Sequence, residues 1–217
     1  MFRIIQALLA AALTALWIGL AILGEGSRNA FFDRPPLVAL AVVTLVFAVT
    51  APLTGGGLST GVREDTANRW VLWPISLIGI VMGFLPAWSD RTGFLTFAEA
   101  VRWPGLALYA IGGVMRLAPV AVLGHRFSGL VAIQKDHALV TTGWYGLIRN
   151  PSYVGMIGMG IGWGLVFRSG LGVLIGLALI PFLIARIDAE ERLLASHFGQ
   201  AYEDYRARTW RLVPWVY

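Results

Sequence analysis

The fold is constrained above all by a succession of apolar runs near membrane-spanning length: Ile4–Leu23, Leu37–Leu53, Trp70–Trp88 and Trp103–Leu123, then the shorter Tyr153–Phe167 and Leu171–Ala185. A spanning helix needs about 20 apolar residues, with about 17 to 25 the usual range. Backbone in lipid must satisfy its own hydrogen bonds, so such runs fold as helices. The first four qualify directly. The last two are parted only by Arg168-Ser169-Gly170, a pattern that predicts a tight helical hairpin, tilted or dipping rather than crossing at full length. Its first arm, GMIGMGIGWG, places Gly158 four residues from Gly162 and Gly160 four from Gly164, a spacing that lets helix backbones approach closely. With 57% hydrophobic and 13% charged residues, the 217-residue chain cannot clothe a soluble globule. The expected architecture is an all-α polytopic membrane helix bundle of five to six spans, the last two a helical hairpin, followed by a C-terminal amphipathic helix. That last helix is read from Ile187, Leu194, Phe198, Tyr202 and Tyr205 at helical spacing, opposite Arg192, Gln200, Glu203 and Arg206. The tail Trp210–Trp215 is expected to fold back over what lies beneath it.

Orientation follows from the basic residues. On six spans Arg3, Arg63, Arg69, Arg126, Lys135 and Arg149 fall on one side together with Arg186, Arg192, Arg206, Arg208 and Arg211. The opposite side holds the smaller set Arg28, Arg34, Arg91, Arg102 and Arg168. Both termini are therefore expected in the cytoplasm, in a cell inner or plasma membrane. The first run is of spanning length, and no small-residue cleavage site convincingly follows it, so it reads as a permanent helix rather than a signal peptide. The net charge of +5 is carried by dispersed arginines and one lysine, with no basic tract for a nucleic acid. Without cysteine there are no disulfides or thiolate metal sites. Trp70, Trp73, Trp88 and Trp103 sit at span ends as interfacial anchors. Arg116 lies inside a span, where a charge faces a partner or a wet cavity; a structural pair or a snorkel is the stronger reading, a cavity wall the other.

Two polar stretches interrupt this pattern. The first is Ala132–Tyr153, AIQKDHALVTTGWYGLIRNPSY; the second is Arg186–Glu191, RIDAEE. Because a hairpin returns to the side it left, both stand on one face of the membrane. Thr141-Thr142-Gly143 is a turn, Asn150 a natural N-cap and Pro151 a favoured first helical residue. Those roles leave His137, Tyr145, Arg149, Glu190 and Glu191 unexplained. An arginine beside an N-cap makes an anion site, and Arg186 and Glu190, four apart, share one helix face. Histidines at 125, 137 and 197 lack zinc spacing, no serine stands in a GxSxG elbow, and no phosphate-binding glycine motif is present. What remains is a zwitterionic cofactor that needs an anion pocket, a carboxylate and an aromatic wall, needs that S-adenosylmethionine has.

HALVTTGWYGLIRNPSYVG followed by ARIDAEERLLASHFGQAYEDYRARTWRLVPW resembles the isoprenylcysteine carboxyl methyltransferases, marked by a G-x-Y…R-H-P-x-Y stretch, a helical hairpin, then Glu-Glu, Phe-Gly and Tyr-x-x-Tyr. The first 120 or so residues match only as hydrophobic spans. The resemblance implies a single membrane domain, with 1–124 as N-terminal spans and 125–217 as methyltransferase core. It implies S-adenosylmethionine as cofactor, with S-adenosylhomocysteine as product. His137, Ala138, Leu139, Val140, Tyr145 and Arg149 become cofactor contacts, with Gln134 a looser match. Asn150, Tyr153 and Glu191 are grouped with them, and Glu190 becomes the cofactor carboxylate. Arg186 becomes the residue that receives the substrate carboxylate and carries catalysis, and no metal is called for. The family's histidine is replaced by Asn150, which keeps a donor and an acceptor but cannot titrate near neutral pH. The implied reaction is carboxyl O-methylation of a lipophilic, isoprenylcysteine-like acid. N- or S-methylation of a phospholipid or small lipophile is the alternative, and an NADPH-dependent sterol-type reductase a more distant one.

Overall fold

The computed structural model describes residues 2–217, with side chains from Ile5 onward; the side chains of Arg3 and Ile4, used above, lie outside what is described. The helices are α1 (Phe2–Glu25), α2 (Arg28–Phe32), α3 (Pro35–Thr50), α4 (Leu72–Thr92), α5 (Arg102–Leu123), α6 (Pro151–Val166), α7 (Gly170–Leu177), α8 (Ile180–Phe198) and α9 (Gln200–Ala207). Among the described residues five segments are long and apolar enough to cross a membrane: Ile5–Glu25, Pro35–Thr54, Thr66–Thr92, Glu99–Arg126 and Gly170–Phe198. The last joins α7 and α8, so the returning arm of the hairpin is longer than its apolar run suggests. A two-stranded antiparallel ribbon, β1 (Arg63–Glu64) with β2 (Ala132–Ile133), was not suggested by the sequence.

The hairpin was expected to dip, yet its turn reaches the same end of the bundle as its neighbours. The Phe97 amide donates to the Arg168 carbonyl (2.7 Å), and the Gly170 amide to that of Leu95 (2.7 Å). A buried ionic cluster locks this far end: Asp90 pairs with Arg34 (2.9 Å), Arg102 (2.8 Å) and Arg168 (2.7 Å). Glu25 and Glu99 complete it through Arg34 and Arg102. Depth is recovered through close packing rather than length, since α6 has only 16 residues, about 24 Å of helix. A Cβ on Gly155 would lie 2.5 Å from the Arg116 amide nitrogen, and one on Gly162 2.5 Å from that of Tyr109, so α6 lies directly on the α5 backbone. On its other side, a Cβ on Gly164 would come within 2.5 Å of the Val173 nitrogen in α7. The glycine spacing read from the sequence thus serves two helix contacts at once.

Packing differs between the two halves of the bundle. Towards the far end Phe31, Leu37, Ala87, Val166 and Phe167 are wholly buried in one apolar core. Towards the end that carries the polar stretches the helices part and leave cavities.

At that end the amphipathic C-terminal segment is two helices, because Gly199 takes φ +56° and turns the chain between α8 and α9. The tail does fold back. The Arg149 amide donates to the Trp210 carbonyl (2.8 Å), the Trp210 amide to that of Leu147 (2.9 Å), and Leu212 packs with Tyr153, Leu183 and Ile187.

Candidate active site

The loop between α5 and α6 is threaded by the ribbon into a position beside α8 and α9. Asp136 takes φ +59°, a left-handed turn an aspartate tolerates, and this brings His137 back towards Gln134, whose amide donates to His137 Nδ1 (3.4 Å). A 3-10 turn over Gly143–Gly146 buries Tyr145, and Pro151 opens α6 at its first position. From the other side α8 presents Glu190.

Between them lies a narrow crevice of about 90 Å³. Of the residues singled out from the sequence, His137, Ala138, Leu139, Val140, Tyr145, Arg149, Asn150, Tyr153 and Glu190 line it. Gln134, Glu191 and Arg186 do not. Gln134 is buried behind the ribbon and donates to the Ser59 carbonyl (3.2 Å). Glu191 stands behind the crevice, accepting from Arg149 Nε and Asn150 Nδ2 (both 3.1 Å) and pairing with Arg211 (3.4 Å). Arg149 reaches on to the Arg206 carbonyl (3.0 Å) and to Thr209, so it ties the loop to the tail.

Arg186, which the resemblance implies to receive the substrate carboxylate, lines neither the crevice nor the chamber described below and is 7% exposed. Its Nε donates to the Tyr153 hydroxyl (3.0 Å) and its Nη2 to the Gly129 carbonyl. The reason is tertiary: the chain after α5 folds across α8 and covers the arginine. Tyr153 in turn donates to Glu190 Oε2 (2.8 Å), so Arg186, Tyr153 and Glu190 form one relay, with the carboxylate at its crevice end.

Arg126, Phe127, Tyr202 and Tyr205 also line the crevice and were not foreseen; so does Arg116, for which a cavity wall was the weaker of two readings. Tyr202 and Tyr205 were read as the apolar stripe of a surface helix, but they are buried with Tyr145 into an aromatic wall. Burial raises all three phenols, that of Tyr205 to about 12, so they are neutral hydrogen-bonding groups. Burial first, and then His197 and Arg126, hold His137 below the ordinary histidine value, so it is neutral at pH 7. Arg116 donates to the Ser152 hydroxyl, which donates back to the Arg116 carbonyl (3.2 Å), and its guanidinium lies 5.7 Å from the Phe127 ring centre. Among the described residues no carboxylate pairs with it. The only warning in the sequence was a charge within a span.

Arg116 and Phe127 also line a second cavity, a chamber of about 700 Å³ between α1, α3, α4, α5 and α6. Its walls are apolar, and its volume lies in the range of roughly 300–1,000 Å³ typical of small-molecule sites. A polar crevice thus abuts an apolar chamber, with the half-buried Arg116, without a carboxylate partner among the described residues, at the junction.

Fold and paired cavities together describe a polytopic membrane protein with a polar crevice beside an apolar chamber, and comparison with known proteins makes it a membrane methyltransferase. The phospholipid methyltransferase family profile matches residues 100–201. Protein-S-isoprenylcysteine O-methyltransferase of Schizosaccharomyces pombe is 35% identical over 189 residues, covering 79% of this chain and 78% of that protein. The enzyme of the same name from Dictyostelium discoideum is 27% identical over 144 residues, covering 64% of this chain and 61% of its own length. The solved structure of the eukaryotic intramembrane Ras methyltransferase ICMT, isoprenylcysteine carboxyl methyltransferase, shares the fold. It has a TM-score of 0.59 at 24% identity and covers 95% of this chain and 75% of that one. The chain belongs to the protein-S-isoprenylcysteine O-methyltransferase family.

Proposed function

We propose that the protein moves a methyl group from S-adenosylmethionine to the carboxylate of a lipophilic, isoprenylcysteine-like acid, with residues 125–217 as the methyltransferase core and with the site and both termini in the cytoplasm. The observation that carries this reading is Arg116 at the junction of crevice and chamber. A greasy tail in the chamber would bring its acidic head to that guanidinium, and entry from the bilayer suits such a tail.

The crevice residues fit the cofactor. Arg126 lines the crevice with a buried Nε that has no partner, a donor suited to the amino-acid carboxylate. Glu190, held by Tyr153, suits the ammonium or ribose hydroxyls, and Leu139, Val140 and Leu194 beside the tyrosines offer an apolar wall for the base. Neutral His137 adds a hydrogen-bonding edge. Asn150, turned towards Glu191 and the Arg211 carbonyl (3.2 Å), steadies the loop rather than titrating. Arg149 and Glu191 act the same way, and Gln134 pins the ribbon.

S-adenosylmethionine held by these residues would supply the methyl as a sulfonium, which would become a neutral thioether as the acceptor carboxylate became a methyl ester. A carboxylate is already ionised at neutral pH, so the chain need not provide a base. Its tasks are to align the two reactants and to hold the carboxylate at Arg116, while Arg186 acts through Tyr153 to position Glu190.

The test is calorimetry of the purified protein with S-adenosylhomocysteine and with NADPH, then methyl transfer to N-acetyl-S-farnesylcysteine, its amide and phosphatidylethanolamine. Tight binding of S-adenosylhomocysteine alone, with turnover confined to the acid, is the expected outcome. Preference for the amine would move the methyl acceptor to phospholipid, and binding of NADPH instead would end the proposal.

A further inference from the structure

At the end of the bundle opposite the crevice stand Arg28, Arg34, Arg91, Arg102 and Arg168. Asp90 takes up three of them, Arg34, Arg102 and Arg168. Arg28 and Arg91 remain outside that buried cluster. Both are exposed, and among the described residues neither pairs with a carboxylate. The two converge on Gly26, which turns the chain after α1 with φ +85°. A Cβ there would lie 2.7 Å from Arg91 Nη1, so the Arg91 side chain rests on the glycine, and Gly26 and Arg28 line one groove together.

That groove, of about 760 Å³, leads from the two cations towards the middle of the membrane along α1. Leu13, Leu16, Leu20 and Leu23 wall it together with Ile80 of α4. From Leu13 to Leu23 it runs roughly 15 Å at 1.5 Å per residue, half of a hydrocarbon core about 30 Å thick. Gly19 is the notch in its floor: Leu16 and Leu23 stand one turn to either side on the same helix face, and a Cβ on Gly19 would have nothing within 4 Å. No carboxylate lines the groove.

We propose that this groove is a binding site for one anionic phospholipid of the leaflet opposite the crevice, with an acyl chain over Gly19 and the phosphate between Arg28 and Arg91. The apolar length is that of one leaflet, and the cations stand where the headgroup of that leaflet lies. A guanidinium offers phosphate a planar fork of donors. A choline or ethanolamine headgroup would bring its ammonium to two like charges, whereas a glycerol headgroup brings none. Selectivity therefore comes from net charge, and the groove adds affinity that a free phosphate lacks. The lipid would also tie α1 to α4, because Arg28 follows the one helix and Arg91 lies in the last turn of the other.

The experiment strips the full chain of co-purified lipid in a neutral detergent. It then titrates dioleoyl phosphatidylglycerol, dioleoyl phosphatidylcholine and glycerol 1-phosphate, reading occupancy by native mass spectrometry and the melting temperature alongside. One phosphatidylglycerol per chain should bind about tenfold or more tighter than phosphatidylcholine and raise the melting temperature. Arg28→Gln and Arg91→Gln should each weaken it about fivefold, and the double variant should bind the two lipids alike. Gly19→Leu fills the notch without touching either arginine and should weaken phosphatidylglycerol by a similar factor. All of these variants should bind S-adenosylhomocysteine as the parent does, which reports an intact bundle. Equal affinity for the two lipids in the parent, a preference that survives loss of both arginines, or binding unmoved by Gly19→Leu would overturn the site. Glycerol 1-phosphate bound as tightly as phosphatidylglycerol would overturn the lipid as its occupant.

Discussion

Removing one oxygen atom, by Tyr153→Phe, tests whether Arg186 and Glu190 act as a relay. The hydroxyl donates to Glu190 Oε2 at 2.8 Å and accepts from Arg186 Nε at 3.0 Å, within a site where Arg186 is 7% exposed. Hydrogen bonds to charged groups are worth about 1.5–3 kcal/mol each, so the gross loss is about 3–6 kcal/mol. Arg186 and Glu190 lie one turn apart on α8 and can turn to each other, which offsets part of this. A net destabilisation of about 2–4 kcal/mol is expected, and at about 2–4 °C per kcal/mol for a chain of this size the melting temperature falls by roughly 5–15 °C. Glu190, no longer held, should also bind S-adenosylhomocysteine about tenfold more weakly, which corresponds to about 1.4 kcal/mol. The assay is a double-mutant cycle with Glu190→Gln, read by calorimetry and by thermal unfolding in the same detergent. Coupling of about 1–2 kcal/mol in cofactor affinity is expected, since the two side chains touch. Additive effects, or a Tyr153→Phe protein with the parent's affinity and melting temperature, would refute the relay.

Gly162→Ala should destabilise the bundle by about 1–3 kcal/mol, because its Cβ would meet the Tyr109 nitrogen and the Gly105 carbonyl at 2.5 and 2.8 Å; Gly19→Ala, with nothing within 4 Å, is the control that should leave the melting temperature unchanged or raise it. The depressed His137 makes stability depend on acid: its native value lies below the unfolded one, so as pH falls below about 6.5 the unfolded chain takes the proton first and stability drops until the native value is passed. Melting curves between about pH 5 and 8 should therefore show a slope that His137→Gln flattens, and an unchanged slope would remove His137 as its source. Cysteines at Ala138 and Ala207 should label from the cytoplasmic side and one at Ala98 from the other, all three positions being exposed; labelling of 138 and 207 from different sides would break the shared site.

The site was legible in the sequence to the extent that its groups sit in polar stretches where lipid tolerates none without cause. His137, Tyr145 and Glu190 stood out in that way, and the hairpin placed them on one face. The paired tyrosines of α9 did not, because aromatics on an amphipathic helix have an ordinary structural use, and for the same kind of reason a structural role outweighed a cavity wall for Arg116. The burial of Arg186 was not legible, because only the segment around Gly129 folding over α8 covers it.

By itself the sequence determined what depends on local composition and periodicity. Apolar runs of spanning length must become helices, since lipid offers backbone groups no other partner, and glycines spaced by four must pack closely. The tertiary structure alone decided which ends are plugged and which are hollow. Asp90 gathers Arg34, Arg102 and Arg168 from three separate chain segments, and Trp17 meets Trp163 across the bundle. Neither meeting has a signature in spacing, because contacts between residues far apart in the chain are set by how whole helices are brought together, and the cavities are the space those contacts leave.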